Sequence, residues 1–187
     1  MMGIAWVIPS ERQLFNLFSE VITVDTTAST NNELRPLLII SAKDSSGKMF
    51  TVLRAFLPNE QAWVFRWIFS AVLPKMFGLS KLNDVKLIIS DGDSQEMQQI
   101  DTAITKYFPQ AYRARCGWHI VEMGWQNHML TSSVFPKEKR EKYYMISDKV
   151  KGWMYSWMKP MCESKEEYEL SKALLIQYVK SDYVPKI

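Results

Sequence analysis

The sequence predicts an α/β fold with a helical segment at its C-terminal end. Three observations predict it. Three β-branched or apolar runs follow one another with short connections, which makes an antiparallel meander the simplest pairing. Helix-period and strand-like stretches then alternate. Beyond Pro136 every candidate element has helical periodicity.

The first run, Glu20–Asp25 (EVITVD), is β-branched and bounded by a Thr-rich stretch, so it reads as a strand ending near Asp25. Leu37–Ala42 (LLIISA) is the second strand. The turn signal Asp44-Ser-Ser-Gly47 leads into the third, Met49–Phe56. Pro58-Asn59-Glu60 opens a helix in which Trp63, Val64, Trp67, Ile68 and Ala71 recur at helical spacing, ending near Pro74. Val85–Ile89 (VKLII) is a fourth strand whose continuous apolar character implies burial on both faces. Asp93 and Glu96 have the spacing of an N-cap and its reciprocal partner, starting a helix that runs to about Tyr107. Ala111–Arg115 reads as a short fifth strand, and a helix begins around Trp118. In the final segment Tyr168, Leu174, Leu175, Tyr178 and Val179 supply an apolar stripe. The expected division is residues 1–135 as an α/β core and 136–187 as a helical segment.

At 187 residues and 47% hydrophobic, the chain can bury a real core, which excludes wholesale disorder. No apolar run reaches the length of a membrane span. Met1–Ser10 has no basic n-region and no small-residue cleavage site, so the protein is not expected to be secreted. Two cysteines, Cys116 and Cys162, require no disulfide in a protein this size; reduced thiols in the nucleus or cytoplasm are expected. The net charge of +3 is unevenly placed: residues 1–135 carry twelve basic and twelve acidic side chains, so the excess lies in the tail. There Lys137, Lys139, Arg140 and Lys142 are candidates for nucleic-acid contact, with Tyr143, Tyr144, Trp153, Tyr155 and Trp157 interleaved. An amphipathic helix with snorkelling lysines gives the same pattern. Trp63, Trp67 and Phe69 read as core or interface residues rather than base-stacking platforms.

Asp25 and Asp91 are the candidate catalytic pair. Each closes a strand pattern, VITVD and LIISD. Carboxylates emerging from adjacent strand ends can supply hard oxygen ligands to Mg²⁺ or Mn²⁺. Two such ions about 3.5–4 Å apart suit phosphoryl transfer, so the carboxylates are expected on neighbouring strands within about 7 Å. A strand-end aspartate also serves simply as a turn or cap residue. Cys116-Gly-Trp-His119 places a Cys and a His three residues apart, a spacing compatible with a shared metal or with simple packing. A structural zinc site needs four ligands and the only further Cys or His are Cys162 and His128, so zinc is not expected. Cys116 and His119 are expected to straddle a strand-to-helix junction close to the aspartates.

Three blocks carry a family resemblance. DTTASTNNELRPLLIISAKDSSGKMF has an Asp-x-Thr start, a Thr-Asn pair and a Pro-Leu-Leu strand. FLPNEQAWVFRWIFSAVLP has a glutamate followed by an aromatic-rich helix. LIISDGD followed by KYFPQAYRARCGWHI has an aspartate after a strand, an F-P-x-A link and a C-x-W-H sequence. In order and spacing, over about residues 4–127, these blocks resemble Mutator-like (MULE) transposase domains.

The resemblance implies an RNase H-like mixed sheet, three antiparallel strands followed by β-α-β units. It also implies a DDE-type transposase, cutting and joining DNA with two Mg²⁺ or Mn²⁺ ions. Asp25 and Asp91 match the family's first two acids, and Cys116 and His119 match its C-x-x-H motif. DNA is the implied partner, with a homo-oligomer left open. The family's third acid is a glutamate in an N-x-x-E-S-like context beyond a helical insertion, and no such context precedes Ile187. Glu163, Glu166, Glu167 and Glu169 read instead as the solvated face of an insertion helix, and residues 136–187 as the start of that insertion. The expectation is therefore a transposition domain represented by a catalytically incomplete piece. The alternative is a non-catalytic DNA- or protein-binding module derived from a transposase.

Overall fold

Buried and half-buried residues alternate along β2 (Val21–Thr27) and β3 (Leu37–Lys43), the period-two signature of a sheet packed on one face. In the computed structural model, residues 3–27, 31–91, 94–125, 151–152, 164–166, 169–170, 173 and 177 are described. The chain divides into two compact units, Met1–Cys116 and Gly117–Ile187.

The first unit holds a six-stranded sheet. Besides β2 and β3 it contains β1 (Ile4–Trp6), β4 (Met49–Phe56), β5 (Leu87–Ser90) and β6 (Tyr112–Arg115), in the order β1-β4-β3-β2-β5-β6. β1 pairs antiparallel with β4, β4 with β3, and β3 with β2; β5 then lies parallel to β2, and β6 parallel to β5. The predicted meander is therefore present, followed by parallel strands. The architecture is mixed α/β.

The helices of this unit are α1 (Pro9–Leu17), α2 (Ala62–Trp67), α3 (Leu73–Phe77), α4 (Leu79–Leu82) and α5 (Ser94–Tyr107), with a π-helical turn, Ile68–Val72, joining α2 to α3. One hydrophobic cluster unites Ile22, Val24, Leu38, Ile40 and Ala42 of the sheet with Phe65, Ile68 and Phe69 of the α2 run and Ile100 and Ala103 of α5. Each fully buried side chain of this kind stabilises the fold by about 1.5–3 kcal/mol, which makes this cluster the main source of stability.

Several boundaries differ from the sequence expectation. β2 runs two residues past Asp25, because Thr26 and Thr27 are β-branched and find partners in Leu38 and Leu37. The helix continues past Pro74 to Phe77. The π turn before it, where the Leu73 N–H reaches back to the Ile68 carbonyl, widens the backbone and accommodates a residue with no N–H. Gly78, at φ 79°, ends that run. β5 is Leu87–Ser90 and is not buried on both faces: Ile88 and Ser90 are buried while Leu87 and Ile89 are half-buried. β1 and α1 have no counterpart in the sequence reading. A three-residue strand shows no period, and α1 has Pro9 in its first turn and no side-chain cap.

In the second unit, helical residues after Cys116 lead into a π-helical turn, His119–Trp125, and Lys151 pairs with Glu122. Glu166 and Glu169 are exposed, as expected of a solvated face. The Asp93 cap, the Lys137–Lys142 basic cluster and its aromatic neighbours, Glu163 and Glu167, and the apolar stripe Tyr168–Val179 fall outside the described residues. Among the described residues no helix is long and apolar enough to cross a membrane.

Candidate active site

Asp25 is the fifth residue of β2, exposed, and opposite Ile39 of β3. Asp91 follows the last residue of β5 and is half-buried. β2 and β5 are neighbours, and their parallel register pairs Val21 with Leu87, Ile22 with Ile88 and Thr23 with Ile89. Continued by two residues, that register sets Asp25 level with Asp91. Alternation would then put both on the face of Thr23 and Ile89, with backbones one strand spacing, about 4.8 Å, apart. Asp25 thus lies on β2, and Asp91 immediately follows the neighbouring β5.

The same register continues into β6, where Ser90 pairs with Arg115. The backbone N–H of Cys116 donates to the Ser90 carbonyl at 2.6 Å, which sets Cys116 beside Asp91. Cys116 is half-buried and carries a free thiol. It directly follows β6, and His119 opens the π-helical turn beyond, so the two residues lie on either side of a strand-to-helix junction. The imidazole of His119 meets the Trp118 ring edge-on at 5.0 Å.

Behind the aspartates, the packed face turns polar. Ser90 is fully buried, and neither its hydroxyl nor that of Thr26 has a hydrogen-bond partner among the described residues. Glu96 is buried on the first turn of α5, and Gln99 accepts from Arg66 Nε of α2 at 3.1 Å. A buried hydroxyl without a partner costs about 1–3 kcal/mol, and such costs are concentrated where a site imposes residue choice. No sequence pattern singled out this layer, since Ser90 simply completes an apolar run and Gln99 sits in a polar helix.

On the aspartate face Arg54 of β4 faces Ile39, which faces Asp25. Arg54 donates two hydrogen bonds to Glu11 of α1, at 2.6 and 2.8 Å. That paired carboxylate raises the guanidinium pKa above its usual range, fixing the charge and tying α1 to the sheet. The partners are 43 residues apart, so no local spacing could have announced them.

As donors, two carboxylates at one level fit a hard divalent cation. Among the described residues no group of three or more His, Cys, Asp or Glu converges as a metal site.

Comparison with known proteins gives the same direction. The family model for the MULE transposase domain matches residues 21–123, more than half of the chain, from the start of β2 to beyond Cys116 and His119. Protein FAR1-RELATED SEQUENCE 5 of Arabidopsis thaliana is 24% identical over 182 residues, covering 96% of this chain and 22% of the relative. PKS-NRPS hybrid synthetase cheA of Chaetomium globosum is 21% identical over 120 residues, 64% of this chain and 2% of that protein. The chain thus spans about a fifth of the first relative's length and far less of the second's. With Asp25, Asp91 and the C-x-x-H pair all inside the matched span, the chain belongs to the MULE transposase domain family.

Proposed function

We propose that this chain carries the two-aspartate part of a DDE-type DNA cleavage and strand-transfer site on an RNase H-like sheet. The observation that carries the reading is the parallel pairing of β2 with β5, which has Asp25 on one strand and Asp91 immediately after the other. The strand order, three antiparallel strands with two parallel ones beside the first of them, supports the RNase H-like assignment. The chain's own part is to hold two oxygen donors on a packed sheet and leave them open to a phosphodiester. Asp25 is held by its pairing with Ile39 of β3, and Asp91 follows directly on β5, which is paired on both sides. Mg²⁺ or Mn²⁺ held by Asp25 and Asp91 would supply charge neutralisation at the phosphate and activation of the attacking oxygen. DNA is the substrate class, and action on chromosomal DNA would make the nucleus the place of work.

The second reading is a non-catalytic DNA- or protein-binding module derived from a transposase. It is supported by the lack, among the described residues, of any group of three or more His, Cys, Asp or Glu that could hold a metal. A strand-transfer assay with Mn²⁺ and donor DNA ends separates the two. The proposed state of this chain is metal and DNA binding without useful turnover, because two carboxylates under-specify the position of a second ion. Mn²⁺-dependent product lost in both Asp25→Ala and Glu163→Ala would overturn that and supply the third acid. Metal-independent DNA binding, indifferent to Asp25→Ala and Asp91→Ala, would establish the binding-module reading.

A further inference from the structure

A pocket of about 410 Å³ opens where β1, the end of β4 and the turn before β3 meet, lined by Ile4, Asn31, Asn32, Glu33, Arg35 and Phe56. Its place relative to the aspartates follows from the registers. Ile4 pairs with Phe56, Phe56 with Leu37 and Leu37 with Thr27, two residues along β2 from Asp25. Alternation puts all of these on the face that carries Asp25. The pocket therefore lies on the aspartate face, two to three strand spacings across and two residues along from Asp25, roughly 12–16 Å away. A DNA strand crossing that face from the aspartates would reach it within a few nucleotides.

The pocket's chemistry suits a base and not a phosphate. Among the described lining residues the one cation, Arg35, is paired with Glu33 at 2.6 Å, so together they carry no net charge to attract the backbone. Phe56 supplies an aromatic surface and is backed by Trp6 at 5.4 Å between ring centroids. Asn32 supplies an amide able both to donate to and to accept from a base edge. The Asn31 side chain is committed to the turn itself, accepting from the N–H groups of Glu33 and Arg35 and donating to the Arg35 carbonyl. Beside the pocket, Leu34 is held at φ 53°, in the left-handed region that a leucine rarely adopts, and its side chain is 70% exposed. Backbone strain spent on presenting an apolar side chain to solvent is a pattern of ligand sites.

We propose that this pocket is a nucleobase subsite, receiving one unpaired base of the DNA strand whose phosphate lies at Asp25 and Asp91. The inference rests on the reading of those aspartates as a DNA site. The test uses the full chain with Mn²⁺ and single-stranded oligonucleotides that carry 2-aminopurine at successive positions. Fluorescence quenching reports stacking, and anisotropy reports binding. One position should be quenched several-fold in the wild type. The quench should be relieved in Phe56→Leu, which keeps apolar bulk but removes the ring, with affinity falling by about 5- to 100-fold. Asn32→Ala, in an exposed turn, should relieve it in part and remains informative if Phe56→Leu does not fold. Mn²⁺-dependent binding with no quenched position, or a quench unchanged in both variants, would overturn the subsite and leave the aspartate reading standing. Quenching that survives Asp25→Asn and removal of Mn²⁺, but not Phe56→Leu, would support the subsite and sink the aspartate reading.

Discussion

The two faces of the sheet differ in what their residues are asked to do. On one, Ile22, Val24, Leu38, Ile40 and Ala42 are at most 3% exposed and join the helices in a single cluster. On the other, Thr23, Asp25, Ile39 and Arg54 stand half-buried or open and meet charge, hydroxyl and solvent. The strands are the same, and only the parity of the residue number changes. The first face carries the stability and the second the candidate site, and Ser90, Glu96 and Gln99 form a buried polar layer against the otherwise apolar packed face.

The contrast can be broken most directly with neighbours in β3. Ile40→Ala should destabilise the chain by about 2–5 kcal/mol, while Ile39→Ala, one residue away on the open face, should cost under about 1 kcal/mol. Urea unfolding of both variants measures this, and equal losses would show that the open face is covered after all. For the aspartates the effects should invert. Asp25→Ala and Asp91→Ala should each weaken Mn²⁺ binding in a calorimetric titration by roughly 10- to 100-fold, at least the loss attached to supporting residues of metal sites. Stability should hold or rise, because repulsion between clustered carboxylates is relieved. Unchanged affinity in both variants would remove the metal site.

Smaller effects sharpen the picture at its margins. Glu11→Gln, which leaves the Arg54 charge without its carboxylate, should cost about 1–2 kcal/mol in thermal or urea unfolding, with Mn²⁺ binding unaffected. Ser90→Ala removes a buried hydroxyl that lacks a partner and should leave stability unchanged or raise it by about 1 kcal/mol; a clear loss would reveal a hydrogen bond to this hydroxyl. The smallest effect belongs to the exposed Asp44 turn. Hydrogen bonds from the Ser46 side chain and the Lys48 and Ser46 backbone N–H groups lower the Asp44 pKa below 3.8. A depressed folded-state pKa gives stability that is present above the unfolded value and lost as pH falls through the folded one. Asp44→Ala should therefore lower the Tm slightly near neutral pH and converge with the wild type in acid.

The sequence made one of these faces easy to read and left the other partly dark. The apolar alternation of LLIISAK and MFTVLRAF announces the buried parity directly, and Met49–Phe56 has the bounds expected of it. Asp25 and Asp91 stood out because each closes a β-branched or apolar run, and strand adjacency supplied what the spacing alone could not. Pairings such as Arg54 with Glu11, or Ile4 with Phe56, depend on chain segments far apart in sequence, and nothing local encodes them. The helix passing through Pro74 was misjudged for a different reason: a π turn supplies room that a regular helix lacks. The short β1 lies below the length at which any periodicity can register.

That short strand bears on where the domain can be safely cut. The family match begins at Val21, after β1 and α1. A chain started there would keep both aspartates yet strip β4 of its partner, exposing a row of unpaired N–H and C=O groups flanked by Phe56 and Ala55. Such a bare border is a template for adding a strand from another molecule. The trimmed domain would thus present the eight-residue β4 as its edge where β1 otherwise presents only three residues. By replacing a long edge with a short one, the three residues of β1 would lower the tendency to self-association that the family-matched span would have by itself.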